Sequence, residues 1–146
     1  MPRGPMCVSL MLTITEAELH KVYKHCTLEY PNEACGILAG RAGIVEQVFE
    51  MTNTEWNQNS YAMDPQEQFR VMKDMRQAGM ELVGVYHSHP RSEAYPSSMD
   101  VNLAYYPEAV YVIVTLMDRR NPVPRSYRVV NGSITEVPMN IIVAAR

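Results

Sequence analysis

Apolar and polar positions follow two different periods along this chain, and the switches between them mark out its elements. Leu19, Val22, Tyr23 and Cys26 recur at i, i+3, i+4 and i+7, the spacing of one buried helix face. Thr15 followed by Glu18 is a capping-box pair ahead of that face, and Pro31 stops it, so a helix is expected over 16–29. His20 and His25 fall off the stripe and are expected to be exposed. A short apolar stretch over 10–14 reads as a strand before this helix, with residues 1–9 as a candidate disordered lead. Beyond the helix, 34–40 is a continuous apolar run, the pattern of a buried strand, and 44–51 reads as its hairpin partner across Gly40 and Gly43.

A polar stretch with three Asn, 52–60, is a loop. Its Trp56 reads as a pin holding the loop to the body, with a partner contact as the alternative. Asp64, Pro65 and Glu67 form a well-marked helix start. Phe69, Val71, Met72, Met75 and Ala78 give that helix its apolar face, and Gly79 ends it. A strand over 81–86 runs straight into His87. A brief helix over 101–105 and a nearly all-apolar strand over 109–117 follow. Asn131-Gly132 joins two strands, 125–130 and 133–137, as a hairpin. Residues 139–146 either close the sheet or fray. Strands alternating with helices, without repeats or a linker, predict an α/β or α+β layer fold in one domain spanning 1–146.

Composition narrows the function. At 146 residues the chain is long enough to bury a core without staples. A net charge of -3 and no basic stripe set nucleic-acid binding aside. Three cysteines, Cys7, Cys26 and Cys35, give an odd count without paired spacing, which argues against a disulfide framework and fits a reducing compartment. No apolar run approaches a membrane span, and the first twelve residues are too short and polar for a signal peptide, so a cytoplasmic location is expected.

The chemistry concentrates in His87-Ser88-His89-Pro90 and Ser97-Ser98-Met99-Asp100. In extended backbone, side chains at i and i+2 point to one side, so His87 and His89 can aim two imidazoles at one point. Ser88 points the other way and reads as structural. Pro90 takes the chain out of the strand, and the loop that follows can return Asp100 to the same point. Ser97 and Asp100 also read as a capping pair for the short helix. Two neutral imidazoles and one carboxylate suit Zn²⁺, and three protein ligands leave a fourth position open, as catalytic sites do. A carboxylate beside the metal but not bound to it could then shuttle protons. Spacing leaves Glu33, Glu81 and Glu93 as candidates. Glu81 sits at the far end of the histidine strand, and Glu93 lies in a loop.

His87, His89, Ser97 and Asp100, with Glu33 upstream, resemble the motif of the JAMM (MPN+) zinc metallopeptidases. The blocks around 31–36, 61–65 and 84–90 are similar to small bacterial members, and the likeness spans 13–137. The resemblance implies a curved mixed β-sheet flanked by helices, related to the cytidine deaminase layout. It implies one Zn²⁺ held by His87, His89 and Asp100, Glu33 as general acid/base, and Ser97 helping to stabilise an oxyanion. It implies as substrate the tail of a ubiquitin-like sulfur-carrier protein, cut after its C-terminal Gly-Gly, either to trim extra residues or to release a cysteine. A strand-like tail added at a sheet edge near the site is the expected binding mode.

Three rivals stand beside this reading. Two His and one carboxylate also form the facial triad of non-haem Fe(II) oxygenases. Cys35 with a histidine could make a cysteine hydrolase, against the simpler reading of Cys35 as a small buried residue under the site. A non-catalytic scaffold is the third.

Overall fold

The computed structural model describes residues 11–144. The expectations for Cys7, for Leu10 as the start of the first strand, for the 1–9 lead and for residues 145–146 lie outside them. Eleven elements follow in order: β1 (Leu12–Thr15), α1 (Glu16–Glu29), β2 (Cys35–Arg41), β3 (Ile44–Met51), α2 (Pro65–Gln77), β4 (Glu81–His89), α3 (Ser98–Asn102), β5 (Val110–Thr115), β6 (Val123–Val130), β7 (Ser133–Val137) and β8 (Met139–Ile142).

The eight strands form one mixed sheet in the order β7-β6-β5-β4-β2-β3-β1-β8. Its two edge strands, β7 and β8, are separated in the chain by Pro138 alone. A single residue cannot bridge the ends of a flat eight-stranded sheet whose neighbours stand ~4.8 Å apart. The sheet must therefore curl until its edges almost meet, and α1 and α2 pack on it. The fold is the expected curved mixed sheet, nearly closed, with few helices.

Alternation along the strands sorts the core into faces. Ala34 and Leu38 join Leu19, Val22 and Cys26 of α1 in one buried cluster. Cys35, Ile37 and Ala39 face the other way, against Val71 and Met75 of α2. β2 and β5 are covered on both faces, which is why each is a continuous apolar run.

Some surface expectations fail. His25 is 6% exposed, not on the surface: its Nδ1 lies 2.6 Å from the Tyr86 hydroxyl, a partner 61 residues away that helix periodicity cannot reveal. Phe69 is 72% exposed, because α2 turns Val71 and Met75 inward and leaves Phe69 outside the buried stripe. Trp56 is 75% exposed, so it does not pin its loop to the body. Asn53 does that instead, donating from Nδ2 to the Glu33 and Ser60 carbonyls and accepting the Glu55 and Ala62 amides at Oδ1. The short helix begins at Ser98 rather than near 101, because Ser97 caps it.

Candidate metal centre

β4 carries both histidines at its C-terminal end, and pleat parity puts them on one face. Ser88, between them, faces away: its Oγ accepts the Ala34 amide at 2.8 Å, and its own amide donates to the Ala34 carbonyl at 3.0 Å. This clamp fixes the residue that follows Glu33 against the histidine strand. The loop after Pro90 ends at Ser97, the N-cap of α3, where a reciprocal capping box forms. Ser97 Oγ accepts the Asp100 amide at 3.1 Å, and Asp100 Oδ2 accepts the Ser97 amide at 2.9 Å. The capping pair thus aims the Asp100 carboxylate back at β4.

The three side chains meet. His87 Nε2 and His89 Nε2 are 3.2 Å apart, and Asp100 Oδ2 lies 3.1 Å from the first and 2.9 Å from the second. The edge of a tetrahedron with zinc-to-ligand arms of ~2.0–2.1 Å is roughly 3.3 Å. The donor set therefore fits a divalent ion held by two imidazole nitrogens and one carboxylate oxygen, and among the described residues this is the group that could hold one. His89 is oriented for that role, since its Nδ1 faces the Glu93 carbonyl at 2.7 Å and leaves Nε2 for the centre. His87 has no such partner: its Nδ1 is buried and unpaired. Its ring is held by stacking, with Tyr61 4.6 Å away between centroids and tilted by 29°.

Electrostatics follow from burial and from these contacts. Burial alone would raise the Asp100 pKa, but hydrogen bonds from His87 and His89 hold its carboxyl well below the usual carboxylate range. Burial keeps His87 below the usual imidazole value despite Asp100. Burial pulls His89 the same way, yet hydrogen bonds to Asp100 and the Glu93 carbonyl leave it raised.

Glu33 is 3% exposed, and its Oε1 is buried without a hydrogen-bond partner. Burial pushes its pKa up to about 8, with His89 opposing and Asp100 adding to the shift, so its carboxyl lies within electrostatic range of the cluster. The 52–60 loop holds its backbone: the Glu33 amide donates to the Asn57 carbonyl at 2.8 Å, and Asn53 takes its carbonyl. The rival carboxylates are less enclosed than Glu33. Glu81 accepts the Ala42 amide at the far end of β4, and the Glu93 side chain is exposed. Ser97 is exposed beside Asp100. Cys35 pairs in register with His87, fully buried, and burial pushes its pKa up to about 12, so it offers no thiolate at neutral pH. β4 pairs with β5 as far as His89, and with β2 as far as His87.

A sequence model described as prokaryotic homologs of the JAB domain matches residues 15–130. The chain belongs to this family. The membership agrees with the JAMM (MPN+) resemblance carried by the motif residues. Among the relatives of this JAB-family chain is the CysO-cysteine peptidase of Mycobacterium tuberculosis H37Rv, 40% identical over 134 residues that cover 90% of this chain and 92% of that one. The solution structure of protein DSY2949 from Desulfitobacterium hafniense superposes with a TM-score of 0.84 at 33% identity, over 92% of this chain and 94% of that one. AF2198 of Archaeoglobus fulgidus, a JAB1/MPN domain protein, shares the fold, with a TM-score of 0.62 at 17% identity over 90% and 98% of the two chains.

Two contributors escaped the sequence reading. Tyr61 was visible only as part of a block shared with bacterial relatives, and nothing in its spacing announces the stack on His87. Asn53 was one of three Asn in a loop, and only its 9% exposure marks it out. No helix among the described residues is long and apolar enough to cross a membrane.

Proposed function

We propose that this JAB-family chain, acting as a single domain over 1–146, is a zinc-dependent peptidase. Its substrate would be the amide bond that follows the C-terminal Gly-Gly of a ubiquitin-like sulfur-carrier protein. His87 and His89, through Nε2, and Asp100, through Oδ2, hold the zinc. Bound there, the ion supplies Lewis acidity, which polarises a carbonyl and makes water a nucleophile near neutral pH. The charge of an ion bound beside it would offset the burial that raises the Glu33 pKa and hold Glu33 ionised; ionised, it takes the proton from the attacking water and passes it to the leaving amine. Ser97, whose Oγ accepts from Asp100 and keeps its hydroxyl hydrogen, donates to the oxyanion of the tetrahedral species.

The observation that carries this reading is the convergence of three donor atoms within 2.9–3.2 Å of one another. Beside them stands a carboxyl with a buried, unpaired oxygen. The mycobacterial relative, a CysO-cysteine peptidase, supports a peptide bond as the target. The carrier tail adds as an extended strand near the centre, where the pairing of β4 with β2 ends at His87. Mixing the zinc-loaded protein with carriers extended past Gly-Gly and following their mass tests the proposal. Loss of the extension is expected, and unchanged masses across several carriers would overturn it. Metal analysis of protein purified without added metal should find zinc; iron with oxygen consumption would favour the facial-triad alternative.

A further inference from the structure

We infer that the tyrosine-lined cleft beside the metal centre is a specificity pocket for an apolar side chain of the substrate tail, at the residue immediately before Gly-Gly. The inference rests on the peptidase reading above and adds what the enzyme selects. The cleft, about 220 Å³, has a floor of Ile37, Val85 and Tyr111. These three residues are in register across β2, β4 and β5. Val85 shares the pleat face of His87, two residues away along β4, so the floor begins one pleat repeat, ~7 Å, from the metal ligands. Tyr61 joins the two features directly: its ring stacks on His87 and also lines the cleft. Tyr105, 71% exposed, stands at the mouth.

Chemistry sets what can enter. No charged residue lines the cleft. Several of its polar groups are engaged with one another: Gln68 Nε2 donates to the Tyr106 hydroxyl, and the Tyr111 hydroxyl accepts the Tyr106 amide at 3.0 Å. Most of what faces the space is ring and aliphatic carbon. The volume falls below the ~300 Å³ at which drug-sized ligand sites begin, so it suits one side chain and not a larger body. A released amino acid would bring its carboxylate into a cleft without a cation, which disfavours the leaving-group side. On the acyl side the two glycines have no side chains and span about 7 Å of extended chain. The first side chain upstream of them therefore arrives at the cleft.

Peptides ending in Leu-Gly-Gly or Asp-Gly-Gly, labelled at their N-termini, test this by fluorescence anisotropy on the full metal-loaded chain. The variants are Ala62→Phe, which fills the cleft, and Tyr105→Ala, which opens its mouth at an exposed position. The wild type should bind the Leu peptide at least ~10-fold more tightly, the effect of burying one large aliphatic side chain. The preference should shrink to within about 2-fold in Ala62→Phe and fall in Tyr105→Ala, with metal content unchanged. Equal affinity for both peptides in the wild type, no binding of either, or a preference that survives in Ala62→Phe would overturn the pocket. The cleavage assay is separate. Leu-selective binding without cleavage of any carrier would sink the peptidase reading and keep the pocket, whereas cleavage indifferent to the upstream residue would do the reverse.

Discussion

At the scale of single residues, the groups that carry chemistry were the most readable and their supports the least. His-x-His works through the period of two in a strand, and Asp100 through a loop short enough to return, so the meeting of all three could be expected from spacing. Glu33 could not be chosen over Glu81 and Glu93 by spacing; burial and the clamp between Ala34 and Ser88 separate them in the structure. A Glu33→Gln chain should still take up one zinc and lose ~10²–10⁴-fold in cleavage rate, the usual contribution of a proton shuttle. Zinc content by mass spectrometry with carrier cleavage alongside checks it, and full activity would place the base elsewhere.

His25 supplies a second prediction at this scale. Burial lowers its pKa, with Glu50, Glu29 and Glu67 opposing. Above its unfolded value of 6.5 it is neutral in both states and adds no pH dependence. As pH falls below 6.5 the unfolded chain takes up a proton that the folded chain resists, so stability drops with acidification. A His25→Gln chain has no such group, and its melting temperature should fall less between pH 7.5 and 5. Parallel slopes for the two proteins would show that His25 titrates alike folded and unfolded.

At the scale of elements, boundaries were legible where local chemistry sets them. Thr15 and Pro31 bracket α1 at its observed limits, and Asp64-Pro65 starts α2 as expected. Asn131 and Gly132 both adopt the positive φ that their two-residue hairpin turn needs. α3 was misplaced by a few residues because Ser97 and Asp100 serve two ends, helix cap and the carboxylate that meets the two histidines. Contacts between elements were not legible. Gly36 faces Tyr86 across the β2–β4 ladder, and a Cβ there would sit 2.1 Å from the Tyr86 ring. That ring occupies the space over Gly36 so that its hydroxyl can reach His25 on α1. Gly36→Ala should therefore destabilise the fold by roughly 1–3 kcal/mol, the cost of overpacking a filled core. Urea unfolding measures it, and a change under ~0.5 kcal/mol, ordinary for a surface site, would mean that the ring moves aside freely.

At the scale of the whole molecule, the layer class was readable, but closure of the sheet by residues 139–146 stood only as one of two alternatives, because no local pattern records which strand meets which. The last strand decides it. β8 pairs in parallel with β1 over four positions, Leu12 with Met139 through Thr15 with Ile142. β1 meets its other neighbour, β3, at the single pair Thr13–Ile44. β8 is thus the main support of β1, and β1 contributes Leu12 and Ile14, both fully buried, to the core under α1. Ending the chain after Pro138 would remove that ladder and leave the β1 edge open. At about 1 kcal/mol for each of roughly four lost backbone hydrogen bonds, the loss is a large share of a typical domain's stability. The truncated chain should melt roughly 10 °C lower or more, and it should aggregate faster through the bared edge. The candidate metal centre lies on β4, several strands away, so zinc uptake below the melting point should persist. Thermal melts with zinc titration separate the two effects: an unchanged melting temperature would mean that β1 holds without β8 and that the curl of the sheet has another cause.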